Sequence, residues 1–210
     1  MDFVRDPIDI EKTSMQIIEN SLPFLRKMPE GERAIIRRIV HTTGDLSCPE
    51  LIKISPDAVE AGLKAIRAGR PVVTDVHMLQ AGINSRKLAR FNMTTYCFIK
   101  DPIVIEEAQR TGETRAMVAM KMKAELLDGA IVAIGNAPTA LFTLCEIIKQ
   151  DKIKPALVVG TPVGFVGARE SKEELVNTPV PYITMIGTRG GSTIAVAAIN
   201  ALLNLAEEIF

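Results

Sequence analysis

The chain has 210 residues, 25 basic against 25 acidic, and is 47% apolar but only 4% aromatic, with no tryptophan. Zero net charge excludes a global field for nucleic acid or an anionic membrane, so any anion must be recognised locally. The length fits one large domain spanning residues 1–210 around an aliphatic core, and the scattered Cys48, Cys97 and Cys145 exclude a disulfide framework and point to a reducing cytoplasm.

In chain order, the first seventy residues read as helices near Ile8–Asn20, Gly31–Thr42 and Asp57–Arg67. Ile35/Ile39 and Ile36/Val40 supply the i,i+4 apolar pairs of the second, and Gly44 stands where a C-terminal cap belongs. Ser55-Pro56 offers the third an N-cap followed by a first-turn proline. Short apolar runs then alternate with helical patterns. The strand candidates are Pro71–Val76, Thr94–Ile99, Ala130–Ile134, Ala156–Val159 and Tyr182–Ile186. Between and after them come helices at Glu113–Leu127, Pro138–Gln150, Lys172–Asn177 and Ser192–Glu208. Five such strands separated by helices predict a parallel sheet covered on both faces. The last helix is apolar nearly all round, which requires either enclosure by its own chain or a second subunit. It is too short and alanine-rich for a membrane span, and the opening Met-Asp-Phe-Val-Arg-Asp lacks a signal peptide's apolar core.

Ligands of open parallel sheets bind beyond the carboxyl ends of the strands, so the residues following each strand are the candidates. These are Asp75, His77 and Met78, then Gly135-Asn136-Ala137-Pro138, then the run Gly160 to Ser171 and finally Gly187-Thr188-Arg189-Gly190-Gly191-Ser192. Glycine permits close backbone approach, and Arg169 and Arg189 can grip carboxylates or phosphates. The GxxxGxxG of the third loop is not a dinucleotide fingerprint, and no P-loop occurs. Arg115 falls in the first turn of a helix, where a cation is electrostatically misplaced and suggests an anionic partner. His41 ends a helix close to Arg37 and Arg38 and suits proton transfer near neutral pH, although a solvated basic helix end is the plainer reading. Asp45 could orient His41 or form an Asx turn, and Asp75 with His77 reads either as a dyad or as a cap beside a packed histidine. Ser14 gains interest only from a nearby ligand. The histidines and cysteines have no metal-ligand spacing.

These blocks resemble the precorrin-8X methylmutases, including the cobalt-precorrin-8 methylmutases, almost from end to end. The resemblance rests on Arg5-Asp6-Pro7, Val40-His41 with Gly44, Ala133 to Leu141, Pro162 to Lys172 and Gly187 to Ser192. It implies a flavodoxin-like three-layer sandwich, a five-stranded parallel sheet between helices with a helical N-terminal region, assembled as a homodimer. It further implies an isomerase that moves a methyl group from carbon 11 to carbon 12 of precorrin-8, with or without cobalt, using no cofactor. His41 matches the family's acid, and Ser14 and Arg38 match its substrate-binding serine and arginine. The large, carboxylate-rich tetrapyrrole also suits an apolar cleft rimmed by local cations such as Arg115, Arg169 and Arg189, with Asp75, Met78, Gly135, Asn136 and Ser171 completing its lining. His77 departs from what the family requires. A nucleotide-dependent reductase is weakened by the missing fingerprint, while a non-catalytic tetrapyrrole carrier remains the alternative.

Overall fold

A computed structural model describes residues 4–208. Asp6 caps the first helix, α1 (Pro7–Ser21), by accepting from the N–H groups of Ile8 and Asp9, and Pro7 occupies its first turn. A 3-10 turn leads into α2 (Glu30–Thr43), which Gly44 closes in the left-handed conformation at φ 64°. The chain continues through β1 (Ile52–Ile54), α3 (Ala58–Arg67), β2 (Val72–Thr74), α4 (His77–Gly82), α5 (Ser85–Arg90), β3 (Thr95–Cys97) and α6 (Pro102–Thr111). It then forms α7 (Arg115–Met122), α8 (Ala124–Leu127), β4 (Ile131–Ile134) and α9 (Pro138–Lys149), and finishes with β5 (Leu157–Gly160), α10 (Ala168–Val176), β6 (Tyr182–Met185) and α11 (Ser192–Glu208).

The strands form one sheet in the order β1-β6-β5-β4-β2-β3. Five are parallel, as expected, but the sheet has six strands and is mixed, because β1 pairs antiparallel with β6 through Ile52↔Met185 and Ile54↔Ile183. The expected five-stranded all-parallel sheet is corrected on this point. Three residues, Ile-Lys-Ile, are too few for a periodic signal, and long-range pairing supplies the strand. Strand side chains alternate between two cores. Val72, Ile131, Ala133, Leu157, Val159 and Ile183 pack with α2, α3 and α11, whereas Val73, Val132, Ile134 and Val158 pack with α7 to α10.

Other boundaries shift for local reasons. The single helix expected over 113–127 breaks at Lys123, and α4, α5 and α6 were not foreseen. The N-cap of α3 is Asp57, not Ser55; the Ser55 hydroxyl donates to Asp57 at 2.8 Å and accepts from the Tyr182 N–H at 3.0 Å. The apolar α11 is enclosed by its own chain: it packs on α2, α3, α4 and the central strands, and Ile194, Ala198, Leu202 and Leu203 are buried. No helix among the described residues is long and apolar enough to cross a membrane.

Candidate active site

The strand order reverses between β2 and β4, so their carboxyl ends frame a topological switch point. Asp75 leaves β2 there and is buried. One carboxylate oxygen accepts from the Gly135 N–H at 3.1 Å, and the other from Asn136 and Ala137 at 2.8 Å each. Burial pushes its carboxyl above the ordinary carboxylate value, and the three backbone bonds oppose that rise. With both oxygens occupied, Asp75 forms no dyad with His77, whose Nδ1 instead lies 3.0 Å from Gln80 Oε1. Gly135 has no room for a side chain, since a Cβ would come within 2.6 Å of the Ser192 Cα. Asn136 is exposed above it, and Met78, at the start of α4, is 74% exposed.

Arg115 begins α7 and is exposed; its N-cap Thr114 hydroxyl lies 3.0 Å from that of Thr139 on α9, bringing this helix start to the β4 loop. Arg169 is exposed on the first turn of α10 and pairs with Glu173 at 2.7 Å. Ser171 is fully buried and donates to the Ala168 carbonyl at 3.1 Å, so it supports α10 from beneath.

The loops after β5 and β6 are knitted together by backbone: Gly191 donates to Thr161 at 2.7 Å and Gly164 to Thr188 at 3.1 Å. Arg189 reaches out of this pair to Asp45 at 2.6 Å and to Ser47 Oγ at 3.3 Å. The hydroxyl and N–H of Ser47, with the Arg189 guanidinium, hold the Asp45 carboxyl below its ordinary value. Asp45 thus forms the Asx turn and binds Arg189; it makes no hydrogen bond to His41. Its consequence is positional. The ion pair ties the C-terminal end of α2, and with it the exposed His41, to the glycine-rich edge.

On the inner turns of α2, Arg38 pairs with Glu11 and Arg37 with Glu19, both at 2.5 Å across to α1. Ser14, half-buried, stands one turn beyond Glu11 on the same face of α1. The nominated residues therefore divide into an edge group (Asp75, Met78, Arg115, Gly135, Asn136, Arg169, Ser171, Arg189), and an α1–α2 group (Ser14, Arg38, His41) that Asp45–Arg189 joins to it. A groove of about 740 Å³ beside Pro29, Val59 and Leu63 includes none of them. Sequence reasoning missed Lys172, a buried lysine beneath the two knitted loops; a lysine inside a solvated-looking helix gives no signal of burial.

A doubly wound α/β sheet with glycine-rich loops and local arginines at its carboxyl edge, and a histidine-bearing helix end tied to it, has the layout of a small-molecule site at a topological switch point. Residues 9–205 match the family model of CbiC, Precorrin-8X methylmutase, and the chain belongs to that family. It is 44% identical over 204 residues to the cobalt-precorrin-8 methylmutase of Priestia megaterium, covering 96% of this chain and 89% of that one. It is 38% identical to the precorrin-8X methylmutase of a Sinorhizobium species, covering 96% of both. The crystal structure of precorrin-8X methylmutase from Thermus thermophilus superposes with a TM-score of 0.89 at 42% identity, covering 95% of this chain and 96% of that one.

Proposed function

We propose that this protein is an isomerase of cobalamin biosynthesis that moves a methyl group from carbon 11 to carbon 12 of precorrin-8, in its cobalt-bearing or metal-free form, to complete the corrin chromophore. The observation that carries the reading is the Asp45–Arg189 ion pair, which fastens the histidine-bearing end of α2 to the glycine-rich edge. His41 serves as the general acid: it protonates the ring nitrogen beside the migrating methyl, drains electron density from the conjugated system, and later takes the proton back. Arg38, Arg115, Arg169 and Arg189 meet substrate carboxylates, with Ser14, Met78 and Asn136 beside the macrocycle. In the free protein Arg38 and Arg169 rest on Glu11 and Glu173, and substrate carboxylates take over from those partners, whereas Arg189 keeps Asp45 on one nitrogen and meets the substrate with the others. Asp75, Gly135 and Ser171 act from below by shaping the loops.

The parallel strands, taken in sequence as one to five, run 2-1-3-4-5, which supports classing the domain as flavodoxin-like. The family model's span of 9–205 supports treating the chain as one domain, and the three free cysteines suit the cytoplasm.

The test is conversion of precorrin-8, followed by the absorption change on rearrangement. His41→Asn binds ligand nearly as the parent does and loses turnover by about 10²–10⁴-fold, the usual worth of a general acid. His77→Asn, whose ring is engaged by Gln80, turns over at close to the parental rate. An inactive His77→Asn beside an unimpaired His41→Asn would move the acid to the other histidine.

A further inference from the structure

Lys172 is fully buried and has no carboxylate partner among the described residues, yet its Nζ donates to two backbone carbonyls: Pro162 at 2.9 Å in the β5 loop and Arg189 at 2.6 Å in the β6 loop. The two loops abut closely here, for a Cβ on Gly190 would lie 2.6 Å from the Pro162 oxygen. In a trans peptide the N–H points opposite to its C=O, and the described residues contain no cis bond. Turning the Pro162 and Arg189 carbonyls inward onto one ammonium therefore turns the N–H groups of Val163 and Gly190 away from it, toward the loop surface. Neither N–H donates to a protein acceptor among the described residues. A buried cation bonded to the carbonyl ends also polarises both peptides, which strengthens their N–H groups as donors.

We propose that the Val163 and Gly190 N–H groups, aimed and polarised by the buried ammonium of Lys172, form a receptor for one carboxylate of the substrate. This rests on the methylmutase reading and assigns Lys172 as a positioning residue, one that never touches the ligand itself. The charged groups around it are engaged elsewhere: Arg169 with Glu173, Glu174 with Lys149, and Arg189 with Asp45, while Glu170 is exposed. Burial alone lowers the Lys172 ammonium to about 8. An anion seated on the receptor favours the charged lysine, so carboxylate affinity weakens as pH rises through that value.

The experiment compares the corrin product as free acid and as full methyl ester, titrated against wild type and Lys172→Met. At pH 7 the variant should bind the acid roughly ten- to a hundredfold more weakly, in the range of a lost charge-assisted bond, and bind the ester as wild type does. Equal binding of the acid by the two proteins overturns the proposal, as does a parallel loss for acid and ester, which marks a general loosening of the loops. If circular dichroism shows Lys172→Met unfolded, wild type alone decides. Its acid affinity should fall between pH 7 and 9 while ester affinity stays level, and matching pH responses overturn the proposal. Wild type that converts precorrin-8 but lacks these effects refutes only the receptor; wild type that fails to convert it refutes the methylmutase reading.

Discussion

The three backbone bonds of Asp75 substitute for water around a buried carboxylate and hold the turn after β4 against the end of β2. Asp75→Ala strands three N–H groups at once, so it should destabilise the fold by about 1–3 kcal/mol, measured by urea unfolding. The pH dependence has a definite sign. Its folded carboxyl lies above the ordinary value of 3.8, so the folded chain holds this proton more tightly than the unfolded chain does. The contribution is fullest below 3.8 and declines as pH rises through the folded value, and Asp75→Ala should lack that acid-side slope. At this scale the sequence was legible for types but not for directions. Asp75 stands at the end of β2 as its place in the sequence implies, yet nothing in Thr-Asp-Val-His distinguishes a carboxylate facing a ligand from one facing a neighbouring turn. Asp45 was the reverse case: the Asx turn was foreseeable from spacing, whereas its bond to Arg189, 144 positions away, was not.

The longest helices were legible, but length alone did not decide: the ten-residue α6 escaped notice, whereas the three-residue β2 and β3 were signalled by their apolar runs. α2, α9 and α11 carry enough turns to display an apolar period, and their limits fell within two residues of expectation. β1, with three residues, and α4 and α5, with six each, are held by tertiary contacts that local pattern does not encode. Element packing also explains a glycine that composition alone would assign to a ligand. Gly135 sits where β4 ends against the start of α11, and a methyl there would strike backbone rather than a yielding side chain. Gly135→Ala should therefore lower stability by about 1–3 kcal/mol, the cost of overpacking, even in ligand-free protein followed by thermal unfolding. A variant of parental stability that only binds ligand poorly would show that the glycine serves the ligand instead.

At the scale of the whole molecule, the apolar α11 was a reason to expect a second subunit, and its enclosure within one chain removes that reason. The proposal of a homodimer then falls to the exposed apolar side chains of the edge, where Phe165 is 94% exposed, Val166 89% and Met78 74%. Sedimentation at micromolar concentration should give a dimer, and Phe165→Glu with Val166→Glu should shift it to monomer; a wild-type monomer would assign these side chains to the ligand alone.

The antiparallel β1 has a further consequence, for the order in which the protein becomes competent. The helix carrying His41 lies near the start of the chain, but its anchors are the Leu51–Ile186 backbone bond, the β1–β6 pairing and Arg189. The far side of each (Ile186, β6 and Arg189) belongs to the last quarter of the sequence. During synthesis the α1–α2 hairpin emerges early and waits for β6 before it has an edge to join. Closing so long a loop is entropically slow, so β2 to β5 and the helices between them can be in place before His41 meets the rim. Docking of the α1–α2 end onto the glycine-rich edge is then a late step of folding.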